Sequence, residues 1–191
     1  DSGRRPYFIT YGGSDPVGAS GYALALHELQ QQVRDNGIEI DAIIVASSSG
    51  GTQAGLVAGA WQTGWNVPIL GISIDALKAG LQSAVADLAT RTVAHMGSRH
   101  TFAADDIHVD DGYLGAGYGV VSHLENEAIK LAAQFEGILL DPVYTGRAFG
   151  GLIDILRRHP DRLLAAKHPG RILFWHTGGS PALFAYTDDL R

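Results

Sequence analysis

The loop Ser47-Ser48-Ser49-Gly50-Gly51-Thr52 carries the densest potential chemistry in the chain, with four hydroxyls around two glycines. Small residues let backbone N–H groups converge on one point, hydroxyls add donors, and a helix starting here would add positive potential. Residues 48–52 therefore form a candidate phosphate cradle made of neutral donors. It is not a P-loop, because no Gly-Lys-Ser/Thr follows, and it does not match Gly-x-Gly-x-x-Gly. The same residues admit a rival. Ala46-Ser47-Ser48-Ser49-Gly50 departs from the Gly-x-Ser-x-Gly nucleophile elbow at its first glycine, and Asp141 and His176 follow in the hydrolase order Ser…Asp…His. A serine hydrolase using Ser48, Asp141 and His176 is thus a second reading, and a plain helix-capping turn is a third.

Such loops need elements to hold them. Short β-rich runs alternate with amphipathic helical stretches along the chain. Strands are predicted at YFITY (7–11), IDAIIVAS (40–47), VPILGISI (67–74), DIHVD (106–110), GILLD (137–141) and RILFWH (171–176). Helices are predicted between them, on Tyr22, Leu26, Leu29 and Val33; on about Gln53 to Thr63; on Leu81, Val85, Leu88 and Thr92; on Ile129, Ala132 and Phe135; and on Phe149, Leu152, Ile153 and Leu156. Continuous apolar strands such as 40–47 are expected to be covered on both faces. This alternation implies a single α/β domain over residues 1–191: three layers, with a mostly parallel sheet and helices on both faces. Ligands of such sheets bind beyond the strands' carboxyl ends. The loops there are 47–55, DGYLGAGYG (111–119), DPVYTGRA (141–148) and HTGGSP (176–181), and they hold much of the glycine excess. GGSDPVGASGY (12–22) reads as a tight turn into the first helix, with Ser14 or Asp15 as cap and Pro16 early in the helix.

Composition narrows the partners. The 191 residues carry 14 Lys+Arg against 20 Asp+Glu, a net charge of −6, which leaves no basic face for nucleic acid or an anionic membrane. No apolar run approaches the ~20 residues that span a bilayer. Without cysteine there is no disulfide, thiolate metal site or thiol nucleophile. The eight histidines lack metal-ligand spacing, so no metal is expected. A cytoplasmic protein acting on something small fits this profile. Glycine is abundant, at 25 residues, and the chain opens DSGRRPYF with neither methionine nor a signal segment, which suggests a processed or truncated piece.

GGSDPVGASGY, SSSGGTQAGL, LDPVYTGRA and HTGGSPALFAY, in this order and spacing, resemble the C-terminal portion of the D-cysteine desulfhydrase and aminocyclopropane-carboxylate deaminase family. These are fold type II pyridoxal-phosphate enzymes, similar in architecture to the tryptophan synthase β subunit. The resemblance covers nearly the whole chain. It implies that Ser48, Ser49, Gly50, Gly51 and Thr52 bind the cofactor phosphate. It also implies that Tyr118 and Tyr144 line the substrate side, binding a carboxylate or assisting proton transfer if a tyrosine pKa is lowered; each otherwise reads as a core-edge aromatic. The deaminase branch has a glutamate for the pyridine nitrogen where this chain has Thr145, and Thr177 lies in a neighbouring loop. Threonines facing that nitrogen imply a weaker electron sink, suited to loss of a good β leaving group from a small amino acid. The expectation is a β-eliminating lyase that releases pyruvate, ammonia and a group such as sulfide. A cysteate sulfo-lyase-like or deaminase-like relative is the alternative.

The chain has three lysines, Lys78, Lys130 and Lys167, and none has the family's Schiff-base context. The resemblance therefore implies that the lysine lies in a missing N-terminal segment or partner chain, and that the whole enzyme is a homo-oligomer. If the chain is complete, a non-catalytic phospholigand-binding subunit or pseudoenzyme is the reading from another class.

Overall fold

A computed structural model describes residues 3–164 and 170–190. Lys167 lies outside the described residues. The sheet is built from β1 (Ala42–Ser47), β2 (Ile69–Ser73), β3 (His108–Asp110) and β4 (Ile172–Trp175), in the order β3-β2-β1-β4 with every pairing parallel. Ile43 of β1 sits opposite Ile69 of β2 on one side and Leu173 of β4 on the other.

Period-two alternation sends successive residues of β1 to opposite faces. Ile43 and Val45 pack with Leu26 of α1 (Pro16–Asp35) and Leu56 of α2 (Gly51–Thr63). Ala42 and Ile44 pack with Ala148, Leu152 and Ile155 of α5 (Thr145–Arg158). Each large aliphatic side chain buried this way contributes about 1.5–3 kcal/mol. A third cluster joins α2 to α3 (Lys78–His95) and β3 through Ala58, Leu81, Val85 and Val109. On the other side, Gly150 of α5 lies against Leu124 of α4 (His123–Leu131). The chain is thus a three-layer α/β structure with helices on both faces of a parallel sheet. Not all its glycine excess belongs to loops. A methyl on Gly59 of α2 would stand 2.7 Å from the Ala23 carbonyl oxygen of α1, and one on Gly55 would meet the Ala19 carbonyl, so these glycines let the two helix backbones touch.

Two predicted strands do not form. Residues 7–10 have no regular structure, Tyr11–Gly13 is a 3-10 turn, and Tyr7, Phe8 and Ile9 are each at least 70% exposed. Residues 137–141 likewise join no ladder, and Ile138 and Leu139 are exposed. An apolar run becomes a strand only where a neighbour accepts its hydrogen bonds, and among the described residues neither segment has one. The helix predicted through Phe135 also ends differently. It gives way after α4 to a π turn at Ala132–Glu136, which leaves Phe135 exposed.

Tyr113, in the 111–119 loop, packs on Gly151 of α5 and donates to Asp154 Oδ2 at 3.1 Å. Burial, and then the Asp154 carboxylate, push its phenol up to about 12 from the usual 10.0. Its folded pKa is raised, so its contribution to stability is complete below pH ~10 and lost as pH rises through about 12. In chemical melts across that window, the alkaline loss of stability should be smaller in Tyr113→Phe than in the wild-type chain.

Candidate active site

The carboxyl end of β1 turns through Gly50, in the left-handed region at φ 82°, directly into α2. A methyl there would stand 2.8 Å from Val85 Cγ2, so both conformation and space ask for glycine. Gly50 is the N-cap and brings no side chain, while the first N–H groups of α2 have no intrahelical acceptor. These donors face a cavity of about 290 Å³ lined by residues 46–53 together with Tyr11, Gly12, Tyr144 and Thr177. Among the described residues, none that lines the cavity carries a charge. Ser48, Ser49, Gly50, Gly51 and Thr52 are thus brought together as one wall. Ser47 Oγ and Gln53 Oε1 are buried, in residues at 2% and 0% exposure, and have no hydrogen-bond partner among the described residues. Gln53 Nε2 meanwhile donates to His108 O on β3 at 2.8 Å.

Two cradle hydroxyls have fixed neighbours. Ser48 Oγ donates to Asp75 Oδ2 at 2.8 Å, and Ser49 Oγ accepts from Ser14 Oγ at 2.7 Å. The turn containing Ser14 also sends Tyr11 and Gly12 to the cavity.

The opposite wall comes from the DPVYT turn. Asp141, buried before α5, accepts from the backbone N–H groups of Val143 and Tyr144 on Oδ1 and of Thr145 on Oδ2, at 2.7–2.9 Å. This fixes the backbone that presents Tyr144. The Tyr144 and Tyr118 hydroxyls are 2.5 Å apart, with the rings edge to face at 5.9 Å between centroids. Tyr118 is 52% exposed and reaches the cavity only through this bond. Burial first, then the hydroxyls of Tyr118 and Tyr11, raise the Tyr144 pKa above the ordinary phenol value. These neighbours keep the Tyr144 phenol protonated.

The two threonines separate. Thr177, beyond β4, is exposed and lines the cavity. Thr145 does not line it. It is wholly buried, and its hydroxyl accepts from Asp141 N at 2.8 Å and donates to Asp141 Oδ2 at 2.6 Å. The expected position of Thr145 toward a ligand is therefore corrected by a local turn that consumes its hydroxyl.

Arg147, which the sequence reading passed over, holds the tyrosine wall in place. It is fully buried and pairs through Nε with Glu125 Oε1 at 2.6 Å. Its Nη1 donates to the carbonyls of Ile74 and Leu114, and Nη2 to Val120 O, at 2.9–3.0 Å. Leu114 and Val120 bracket Tyr118, so one guanidinium ties both ends of that segment to α5 and to the end of β2. Burial alone would raise the Glu125 pKa, but hydrogen bonds from Ser122, Arg147 and the backbone outweigh it and hold the carboxyl below the usual range.

The hydrolase triad does not assemble. Ser48 bonds Asp75, Asp141 is saturated by its turn, and His176 accepts from Gly178 N on Nδ1 while Nε2 donates to Leu139 O. Neither Lys78 nor Lys130 lines the cavity. Lys78 starts α3, with its backbone N–H on Asp111, and Lys130 lies in α4. Among the described residues, no helix is long and apolar enough to cross a membrane.

Fold and cavity together define a parallel α/β protein with a polar, uncharged cavity at the carboxyl edge of its sheet. The family described as pyridoxal-phosphate dependent enzymes matches residues 1–178, and the chain belongs to it. The chain is 42% identical over 188 residues to a D-cysteine desulfhydrase from Klebsiella pneumoniae (strain 342), covering 96% of this chain and 53% of that protein. A D-cysteine desulfhydrase from Salmonella schwarzengrund (strain CVM19633) is also 42% identical, over 186 residues, with the same coverage. The chain therefore spans about half the length of these curated relatives. The crystal structure of an ACC deaminase homologue superposes with a TM-score of 0.85 at 34% identity, covering 98% of this chain and 54% of that one. A fungal L-serine ammonia-lyase from Rhizomucor miehei shares the fold, with a TM-score of 0.59 at 20% identity, 91% coverage of this chain and 55% of that one.

Proposed function

We propose that this chain is the cofactor-holding part of a pyridoxal-phosphate-dependent β-eliminating lyase of the D-cysteine desulfhydrase type. The observation that carries the proposal is the charge-free cavity, with the uncapped N-terminus of α2 on one wall and the Tyr144–Tyr118 pair on the other. The donor set suits a phosphorylated, polar aromatic aldehyde. A phosphate dianion is met by backbone N–H groups and hydroxyls at the start of α2. The 42% identity to desulfhydrases supports the same reading.

Bound there, pyridoxal phosphate supplies an electron sink for the carbanion left when an amino acid loses its α-proton. The phosphate would be held by the N–H groups at the start of α2 and by the Ser49 and Thr52 hydroxyls. Ser48 supports the loop instead, because its proton is committed to Asp75. Thr177 is the lining hydroxyl offered to the heterocycle nitrogen. No acid lines the cavity to protonate that nitrogen, which favours substrates with a good β leaving group over ring opening. Of the two tyrosine protons, one lies between the oxygens and the other remains to bind the substrate carboxylate. The raised Tyr144 pKa keeps the Tyr144 hydroxyl itself protonated above the ordinary phenol range.

A segment or partner chain beyond these residues would supply the lysine. The exposed Tyr7, Phe8 and Ile9, and the edge of β4 left unpaired among the described residues, are surfaces for it to cover. The test is to incubate the full-length protein and cofactor with D-cysteine and, separately, with aminocyclopropane-carboxylate. Elimination adds one water to cysteine and should give sulfide, pyruvate and ammonia in equal amounts. A 2-oxo acid from the cyclopropane substrate alone would move the assignment to the deaminase branch. Cofactor binding without turnover of either would favour a phospholigand-binding subunit. Borohydride trapping should leave Lys78, Lys130 and Lys167 unmodified.

A further inference from the structure

We propose that Ser14 is a positioning residue of the phosphate cradle: its hydroxyl donates to Ser49 Oγ and so turns the Ser49 proton toward the ligand. The proposal rests on the reading of residues 48–52 as the phosphate site. Ser14 and Ser49 are 35 positions apart, and their oxygens are 2.7 Å apart. A hydroxyl has one proton and two lone pairs. Ser49 Oγ accepts from Ser14, and among the described residues no acceptor takes its own proton. A dianion in the cavity selects the orientation in which both protons run toward it, and each bond of such a chain polarises the next.

The surroundings hold this pair in place. Ser14 N–H donates to Tyr11 O at 3.2 Å, closing the 3-10 turn, and the next residue, Asp15, caps α1 by accepting from Gly18 N at 2.9 Å. Ser14 is therefore fixed from both sides. The two loops also interlock without spare room. A methyl on Gly51 would stand 2.6 Å from Ser14 Oγ and 3.2 Å from Ser14 Cα, and one on Gly12 would strike Ser49 Oγ. Asp75 does to Ser48 the opposite of what Ser14 does to Ser49: it draws that proton away from the cavity. Of the two neighbouring serines, Ser49 is thus the one prepared to donate.

The test is a double-mutant cycle in the full-length protein, with dissociation constants measured for pyridoxal phosphate and for pyridoxal, which lacks the phosphate. Ser14→Ala should weaken pyridoxal phosphate roughly tenfold, as expected for a charge-assisted hydrogen bond, and leave pyridoxal within about twofold. In a Ser49→Ala background, Ser14→Ala should have no further effect. Equal weakening of both ligands would mean a general loosening and would overturn the proposal, as would additive effects or unchanged affinity for pyridoxal phosphate. If the wild-type protein holds the two ligands equally, the phosphate reading falls and the Ser14 proposal falls with it. If the wild-type preference is undiminished in Ser14→Ala, only the Ser14 proposal falls.

Discussion

Arg147→Met is expected to lower stability by about 3–5 kcal/mol, the cost of removing one partner from a buried ion pair. Methionine keeps much of the aliphatic stem but leaves the Glu125 carboxylate, at 1% exposure, without its cation. It also strips the carbonyls of Ile74, Leu114 and Val120 of their donor. Lysine should not rescue it, because a single ammonium cannot reproduce a planar fork aimed at four oxygens on three segments. Equilibrium unfolding in urea measures the loss. The same variants should release the 114–120 segment, seen as faster amide exchange there than in β1. A cost under ~1 kcal/mol would mean the pair contributes no more than an exposed one.

The second large effect is expected at Asp141. Asparagine has the same shape, yet it must present an NH2 group to one of the two donor pairs that the carboxylate now accepts: Val143 and Tyr144 N–H on one oxygen, Thr145 N–H and Oγ1–H on the other. Leaving a buried donor unpaired costs about 1–3 kcal/mol, and hydrogen bonds to a charged group lie at the upper end. Asp141→Asn should therefore lose about 2–3 kcal/mol of stability. Its larger consequence is for chemistry, since this carboxylate sets the backbone that carries Tyr144. A displacement of about 1 Å at a positioned group can cost on the order of 10²-fold in rate, so kcat should fall by about that factor. Affinity for the cofactor, whose phosphate end we propose to lie on the other wall, should change little. A parallel loss of affinity and rate would show that the two walls are not independent.

These residues also mark where the sequence was informative. The strand-to-helix turn at 47–52 was legible because its signals are local: a continuous apolar strand, a run of small hydroxylated residues, then helical spacing. The Asp15 cap was legible for the same reason. Arg147 was not. In sequence it is a cation near the start of an amphipathic helix, normally a solvated position, and its burial depends on oxygens 22 to 73 residues away. Thr145 was misplaced for the converse reason. Motif position put its hydroxyl toward a ligand, while an aspartate four residues earlier captured it. The segments 7–11 and 137–141 have strand composition, but composition does not supply the neighbour that pairs with them.

The contact of α1 with α2 through Gly55 and Gly59 has a mechanical consequence. With no α2 side chain at these two contacts, neither helix can slide or tilt there without compressing the other, so the loops leading into both are coupled. Any relative movement of the cavity walls then falls to the 114–120 segment, whose two end carbonyls share one anchor in the Arg147 guanidinium.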